Sequence, residues 1–263
     1  MMRCIEPENI RFMRVKISNI NYKKISEKIR DNLARKAYIC LTDVGNVIRA
    51  SKDKEFLEAI DNSLISIADG MPLVWYGKLI GCRTIERLAG MELMARLLEE
   101  QSEFKHFLLG DTEDTIKRIL EKARNIRKEV IIDGYSPPFR SKFDEVDNKV
   151  IFRKIEEKNP DIIWVSLGGG KQDKWMYQNV NRLRRGVMIG VGAAFRFYIG
   201  SIKTPPAIFQ KMGLQWLFRT LENPKTIGRR LRTIPKFIIH FPLEVAKARS
   251  ESNHRTRRLL SNG

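Results

Sequence analysis

The sequence predicts an α/β fold: a mostly parallel, Rossmann-like sheet with helices on both faces, followed by a basic helical appendage at the C-terminus. Three observations carry this expectation. Short apolar runs alternate over the first 200 residues with stretches whose apolar residues recur every three or four positions. Those runs end in small or polar residues, among them Thr42, Asp69, Gly110, Gly168 and Gly192. Beyond Gly200 the alternation stops, and prolines and basic residues take over. The expected division is a core over 1–202 and an appendage over 203–263.

In chain order, Arg14 to Ile17 reads as a first strand, and Ile25, Ile29 and Leu33 mark one face of a helix. Tyr38 to Leu41 is a second strand, closed by the polar turn Thr42 to Asn46. A helical stretch through Phe56, Leu57 and Ile60 leads to Leu64–Ala68, a short buried strand that delivers Asp69 to its tip. Gly70 then allows a sharp turn, and Pro72 opens a helix that turns Leu73, Val74 and Trp75 to the core. Leu93, Met94, Leu97 and Leu98 define the next helix, His106 to Leu109 a strand, and Ile116, Ile119 and Leu120 a helix. Val130 to Ile132 is a strand before the rigid loop Ser136 to Arg140, with its two prolines. Val146 to Ile155 is helical. Ile162 to Leu167 is the most apolar strand, and a helix with Trp175 and Met176 precedes the strand Val187 to Val191. Right-handed crossovers place the five strand-end residues along one edge of the sheet, which is where open α/β folds keep their ligands.

After Gly200, Pro205, Pro206, Pro224, Pro235 and Pro242 are expected to divide short helical stretches. Arginines and lysines surround apolar groups there, and Phe237 to Leu243 is a compact apolar stretch. A basic amphipathic segment of this kind suits an anionic membrane surface.

Composition narrows the function classes. Hydrophobic residues at 43% and charged residues at 30% exclude a disordered chain. The formal net charge of +18 calls for an anionic partner. From Lys203 onward 13 Lys and Arg face 3 Glu, a net of +10, so the appendage holds most of the excess. Three cysteines (Cys4, Cys40, Cys82) and three scattered histidines give neither a disulfide framework nor a zinc site, which fits reducing cytoplasm. The N-terminal residues lack a signal-peptide core, and no apolar run reaches the ~18 residues of a membrane span.

Two glycine-rich turns invite comparison with nucleotide motifs. Gly168 to Lys171 lacks the spacing and final Lys-Ser/Thr of a P-loop, and Gly190-Val191-Gly192 has Phe195 where a dinucleotide fingerprint needs a small residue. Both turns still allow close backbone approach to a diphosphate, and both also serve as plain structural turns. Asp69 reads either as a catalytic carboxylate or as a helix-capping one. Gln172 suits a base or a sugar hydroxyl, and equally an exposed first-turn position. Arg87 suits a phosphate or a solvated charge, and His106 reads as structural.

Taken together, ADGMPLVW, RLAGMELM, FLLGD, SPPFR, SLGGGKQDKW, GVGAAFRFYIG and MGLQWLFRTLENP resemble, in this order, the WecG/TagA/CpsF family of bacterial glycosyltransferases, from about Tyr38 to about Arg230. The resemblance implies a compact transferase without an Asp-X-Asp metal motif, moving a sugar from a nucleotide diphosphate donor to a lipid-linked acceptor. It implies Asp69 as catalytic base, with Thr42, Arg87 and Gln172 at matching positions and Gly170 in place of a proline. It also implies that Arg219, Arg229 and Arg230 complete the pocket and hold the diphosphate. Gly110, Gly168, Lys171 and Gly192 join the substrate-binding set as strand-end turns. Three departures concern the donor: Asp43-Val44 where many members carry Pro-Asn, so that the Asn contact is either missing or taken over by Asn46, Arg196 in place of an Asp, and Thr226 in place of an Arg.

The expected reaction is an inverting transfer of N-acetylmannosamine, its uronic acid or a hexose from a UDP-sugar to a polyprenyl-diphosphate-linked saccharide. No cofactor or metal is expected, because arginines and turn N–H groups would stabilise the leaving diphosphate. The expected location is peripheral, on the inner face of the cell membrane, in cell-surface polysaccharide or teichoic acid synthesis, with self-association open and no nucleic acid partner. Two rivals stand beside it: a basic nucleic-acid-binding α/β protein, and a relative that binds nucleotide sugars without catalysis.

Overall fold

The computed structural model describes residues 6–100, 103–206, 208, 209, 212, 218 and 227–261, with side chains described for 234–251 of the last segment. Eight strands and ten α-helices are described. The chain opens on β1 (Asn9–Phe12) and β2 (Val15–Ser18), an antiparallel hairpin with Phe12 opposite Val15. Met13 and Arg14 both have positive φ, the conformation that lets a two-residue turn follow the strand twist. The expected first strand is thus half of a separate hairpin and not part of the main sheet. Its Ser18 hydroxyl accepts from the Ser66 N–H at 3.1 Å, which docks the hairpin beside the sheet.

The remaining core elements are α1 (Tyr22–Asn32), β3 (Lys36–Thr42), α2 (Val44–Ala50), α3 (Lys54–Asp61), β4 (Ile65–Ala68), α4 (Met71–Leu79), α5 (Gly90–Glu100), β5 (Lys105–Gly110), α6 (Glu113–Ile126), β6 (Ile131–Tyr135), α7 (Glu145–Lys158), β7 (Ile162–Ser166), α8 (Lys171–Asn179), β8 (Gly186–Gly190) and α9 (Ala194–Tyr198). The six strands after the hairpin form one sheet in the order β4-β3-β8-β7-β5-β6, parallel at every pairing. All six strands therefore end on one edge.

Strands β4, β7 and β8 are buried at every position, which is why parallel strands covered on both faces read as unbroken apolar runs. In β7, Ile162 and Trp164 join one cluster with α1, α5, α6 and α9, while Ile163 and Val165 join another with α7 and α8. A third cluster gathers the hairpin, α2, α3 and α4. Within α4, Leu73, Val74 and Tyr76 are buried, but Trp75 is 40% exposed. The helical period carries Trp75 out of the core that the sequence assigned it to.

The final helix, α10 (Ile227–Ser261), is continuous and contains Pro235 and Pro242. Those prolines were expected to divide helical stretches. A proline in a helix interior costs about 3 kcal/mol, and here packing offsets it. Phe237, Phe241, Val245 and Ala248 lie against the hairpin and α4, with the Phe237 ring 5.5 Å and the Phe241 ring 6.2 Å from that of Phe12. Ile238, Ile239 and Leu243 remain exposed.

Candidate active site

At the β3 and β4 ends, the Asp69 N–H donates to the Thr42 carbonyl at 3.0 Å, extending the parallel ladder by one rung and fixing the Asp69 backbone. Gly70 follows as the N-cap of α4, with Pro72 in the first turn. Asp69 is half-buried at this tip. The Leu88 N–H donates to the Ala68 carbonyl at 3.1 Å, so the segment carrying Arg87 runs beside the same strand end. Arg87 is mostly buried and pairs with Glu92 at 2.8 Å. The Thr42 hydroxyl is fully buried, 2.8 Å from the Ser66 hydroxyl, and is not among the residues that line the pocket described next. Asn46 donates its amide to the Leu41 carbonyl at 3.0 Å, tying α2 to the end of β3.

At the ends of β5, β6, β7 and β8 lies a pocket of about 1020 Å³. Its lining includes Gly110, Gly168, Lys171 and Gly192, so four of the sequence-predicted residues meet in one cavity. Gly110 has φ +111, and a Cβ there would collide with the Ser166 carbonyl oxygen. Only glycine lets β5 turn out over β7 at this point. Gln172 is buried rather than exposed: its side-chain oxygen accepts from the Gly192 N–H at 3.0 Å and holds the β8 turn. Lys171 donates its ammonium to the Arg140 carbonyl and sits over the Phe143 ring, 4.3 Å from its centre, and partial burial lowers its pKa.

The two ends of this pocket differ in charge chemistry. The α8 N-terminus has Gly170 as N-cap and no side-chain cap. Its first turn carries Lys171, which lines the pocket, and Asp173, which is buried. The α6 N-terminus is already satisfied by the Thr112 hydroxyl and carries Glu113 and Asp114 in its first turn. Gly170 has φ +81, and any side chain there would strike the guanidinium of Arg49, which packs over Phe56.

Two lining residues, Asp111 and Phe139, escaped the sequence reading, and Arg196 entered it only as a departure from the family pattern. Asp111, at φ 56, is almost wholly buried and accepts from Arg196 Nε at 2.9 Å and Nη2 at 3.2 Å. Arg196, half-exposed, therefore presents a fixed guanidinium to the pocket. Phe139 stands fully exposed on the loop after β6. The Pro-Pro-Phe sequence was the available signal for Phe139, but pairing Asp111 with Arg196 requires the fold.

Asp69 does not line this pocket. It lies two strands from the β8 end, about 10 Å at the usual spacing between strands. Arg219 lies outside the described residues, as does Thr226. Arg229 and Arg230 fall in the first turn of α10, with side chains outside the description. Among the described residues no cluster of three or more His, Cys, Asp or Glu is placed to hold a metal, and no helix is long and apolar enough to cross a membrane. His106 is buried far from the edge and accepts from the Trp164 indole at 3.2 Å; burial lowers its pKa to about 3.

An open parallel sheet with a large cavity outside its strand ends is the architecture of a ligand-transforming α/β enzyme. The model of the glycosyl transferase WecG/TagA/CpsF family matches residues 10–252, and the chain belongs to that family. Three relatives are each named N-acetylglucosaminyldiphosphoundecaprenol N-acetyl-β-D-mannosaminyltransferase. The Bacillus subtilis protein is 28% identical over 72% of this chain and 73% of its own length. The Staphylococcus aureus (strain MW2) protein is 28% identical over 76% of both chains. The Bacillus spizizenii protein is 27% identical over 72% of both. The chain is thus a glycosyltransferase.

Proposed function

We propose that the chain transfers an N-acetylmannosamine-type sugar, with inversion, from a UDP-sugar to a polyprenyl-diphosphate-linked saccharide. The observation that carries this reading is the single sheet edge with a carboxylate, Asp69, at one end and, at the other, a pocket lined by the Gly168 and Gly192 turns and Lys171. The relatives' shared name supplies the sugar and the acceptor class.

In this mechanism Asp69 takes the proton of the acceptor hydroxyl as its oxygen bonds to the anomeric carbon. The bond from that carbon to the diphosphate oxygen breaks, and the nucleotide leaves as an anion. The Gly168 and Gly192 turns and the Lys171 ammonium receive that charge, joined by Arg219, Arg229 and Arg230 from the appendage. Thr42 and Gln172 act by position: one holds the Asp69 backbone, the other the β8 turn. The reaction needs no metal.

The acceptor is lipid-linked, so the enzyme works at a membrane, on its cytoplasmic face. Ile238, Ile239 and Leu243 on α10 offer the apolar contact. Lys236 and Lys52 lie close enough that the second ammonium lowers the pKa of the first, a crowding of positive charge that anionic headgroups relieve.

The test is a donor panel. Purified protein is given a short polyprenyl-diphosphate-GlcNAc acceptor with UDP-ManNAc, other UDP-sugars and GDP-sugars, and products are weighed by mass spectrometry. A product one N-acetylhexosamine heavier with UDP-ManNAc is expected. Nucleotide-sugar binding with no product on any acceptor would instead identify a non-catalytic relative.

A further inference from the structure

We propose that Phe139 is the stacking platform for the base of the nucleotide donor, an inference that rests on reading the pocket as the donor site. A phenyl ring left in water needs a reason, and the loop holds this one there. Phe139 is as exposed as in an unfolded chain. Its loop, however, is pinned on both sides. The Ser136 hydroxyl donates to the Asp111 carbonyl at 2.7 Å, Pro137 is buried and Pro138 restricts the backbone. On the far side the Arg140 carbonyl accepts from Lys171, and the Arg140 guanidinium reaches Asp144 at 3.4 Å and Asp147 at 3.5 Å. These ties fix the backbone that carries the ring at the rim of the pocket.

The order of strands then says which part of the donor meets it. A nucleotide sugar is linear, with the diphosphate between sugar and nucleoside. The Gly168 turn and the Lys171 ammonium, both lining the pocket, place the diphosphate at the β7 end. Asp69 places the reacting sugar toward β4, three strands away on one side, about 14 Å. The nucleoside must run the other way, past β5 to β6, where Phe139 stands. Charge agrees, because Glu113 and Asp114 line that end, where an uncharged base fits and a phosphate does not. A lipid surface is the weaker occupant, since the apolar stripe of α10 lies at the opposite, β4 side of the molecule.

Stacking a base on an aromatic ring is worth roughly 5- to 100-fold in affinity when the ring is truncated. The test compares full-length wild type, Phe139→Ala and Phe139→Tyr by calorimetric titration with UDP and GDP, with anionic-vesicle flotation in parallel. For whichever nucleotide the wild type binds, the alanine variant should bind that much more weakly and the tyrosine variant should recover. Melting temperature and flotation should not change. Equal binding by the alanine variant, or a loss that tyrosine does not restore, overturns the proposal. Loss of flotation in the alanine variant would assign the ring to lipid instead. If the wild type binds neither nucleotide, the donor-site reading itself fails, a result distinct from failure of Phe139 alone.

Discussion

On the proposed mechanism Asp69 carries the chemistry, while Gly110 carries the geometry, and each has a consequence that can be measured. Asp69→Asn keeps the shape of the strand tip while removing the base, so turnover should fall at least about 100-fold with an unchanged melting temperature. Gly110→Ala forces a side chain into the Ser166 carbonyl at φ +111, and should cost about 2–4 kcal/mol in denaturant unfolding. Asp173 gives a pH signature. It lies buried in the first turn of α8, and burial raises its pKa from 3.8 to about 6. The folded state therefore holds this proton more tightly than the unfolded one. Its contribution to stability is complete below about pH 4 and is lost as pH rises through 6. Asp173→Asn should match wild type near pH 4 and exceed it at pH 7 by something on the order of 3 kcal/mol, read by urea unfolding at both values. A difference independent of pH would mean that Asp173 is not the group that titrates. Asp69 and the strand-end glycines were legible because a polar residue after an apolar run marks a strand tip. Gln172 was not: burial of a first-turn amide depends on a β8 turn 20 residues away.

At the scale of elements, sequence reading succeeds where the pattern is local and fails where a partner decides. The six sheet strands follow from their apolar runs and α4 from Gly70 and Pro72. The hairpin was half seen, because Asn9–Phe12 shows a single alternation and gains its stability by pairing. Helix α10 shows the reverse error. Two prolines argued for breaks, yet Phe237 and Phe241, one turn apart, seat the helix on Phe12 and Tyr76 and keep it whole. The same helix leaves Ile238, Ile239 and Leu243 facing out, and on the membrane reading that stripe has a purpose. Replacing all three with serine should abolish flotation with anionic vesicles and leave the melting temperature within a few degrees. Undiminished flotation would move the membrane contact elsewhere.

For the whole molecule, the fold class was legible and the strand order was not. Alternating strands and helices require a parallel sheet, and right-handed crossovers bring all strand ends to one edge. Nothing local says that the chain leaves β4 and re-enters the sheet at β5, three positions beyond β3. That jump separates Asp69 from the pocket. The basic excess, too, is concentrated in one segment, from Lys203 onward. The most direct test is the mass of the lipid-linked product formed by EDTA-treated wild type and Asp69→Asn side by side, with UDP-ManNAc and polyprenyl-diphosphate-GlcNAc. The expected result is full conversion to the heavier product by the wild type and almost none by the variant. Conversion by a folded Asp69→Asn protein at the wild-type rate, or loss of wild-type conversion in EDTA, would contradict a metal-free transfer driven from the tip of β4.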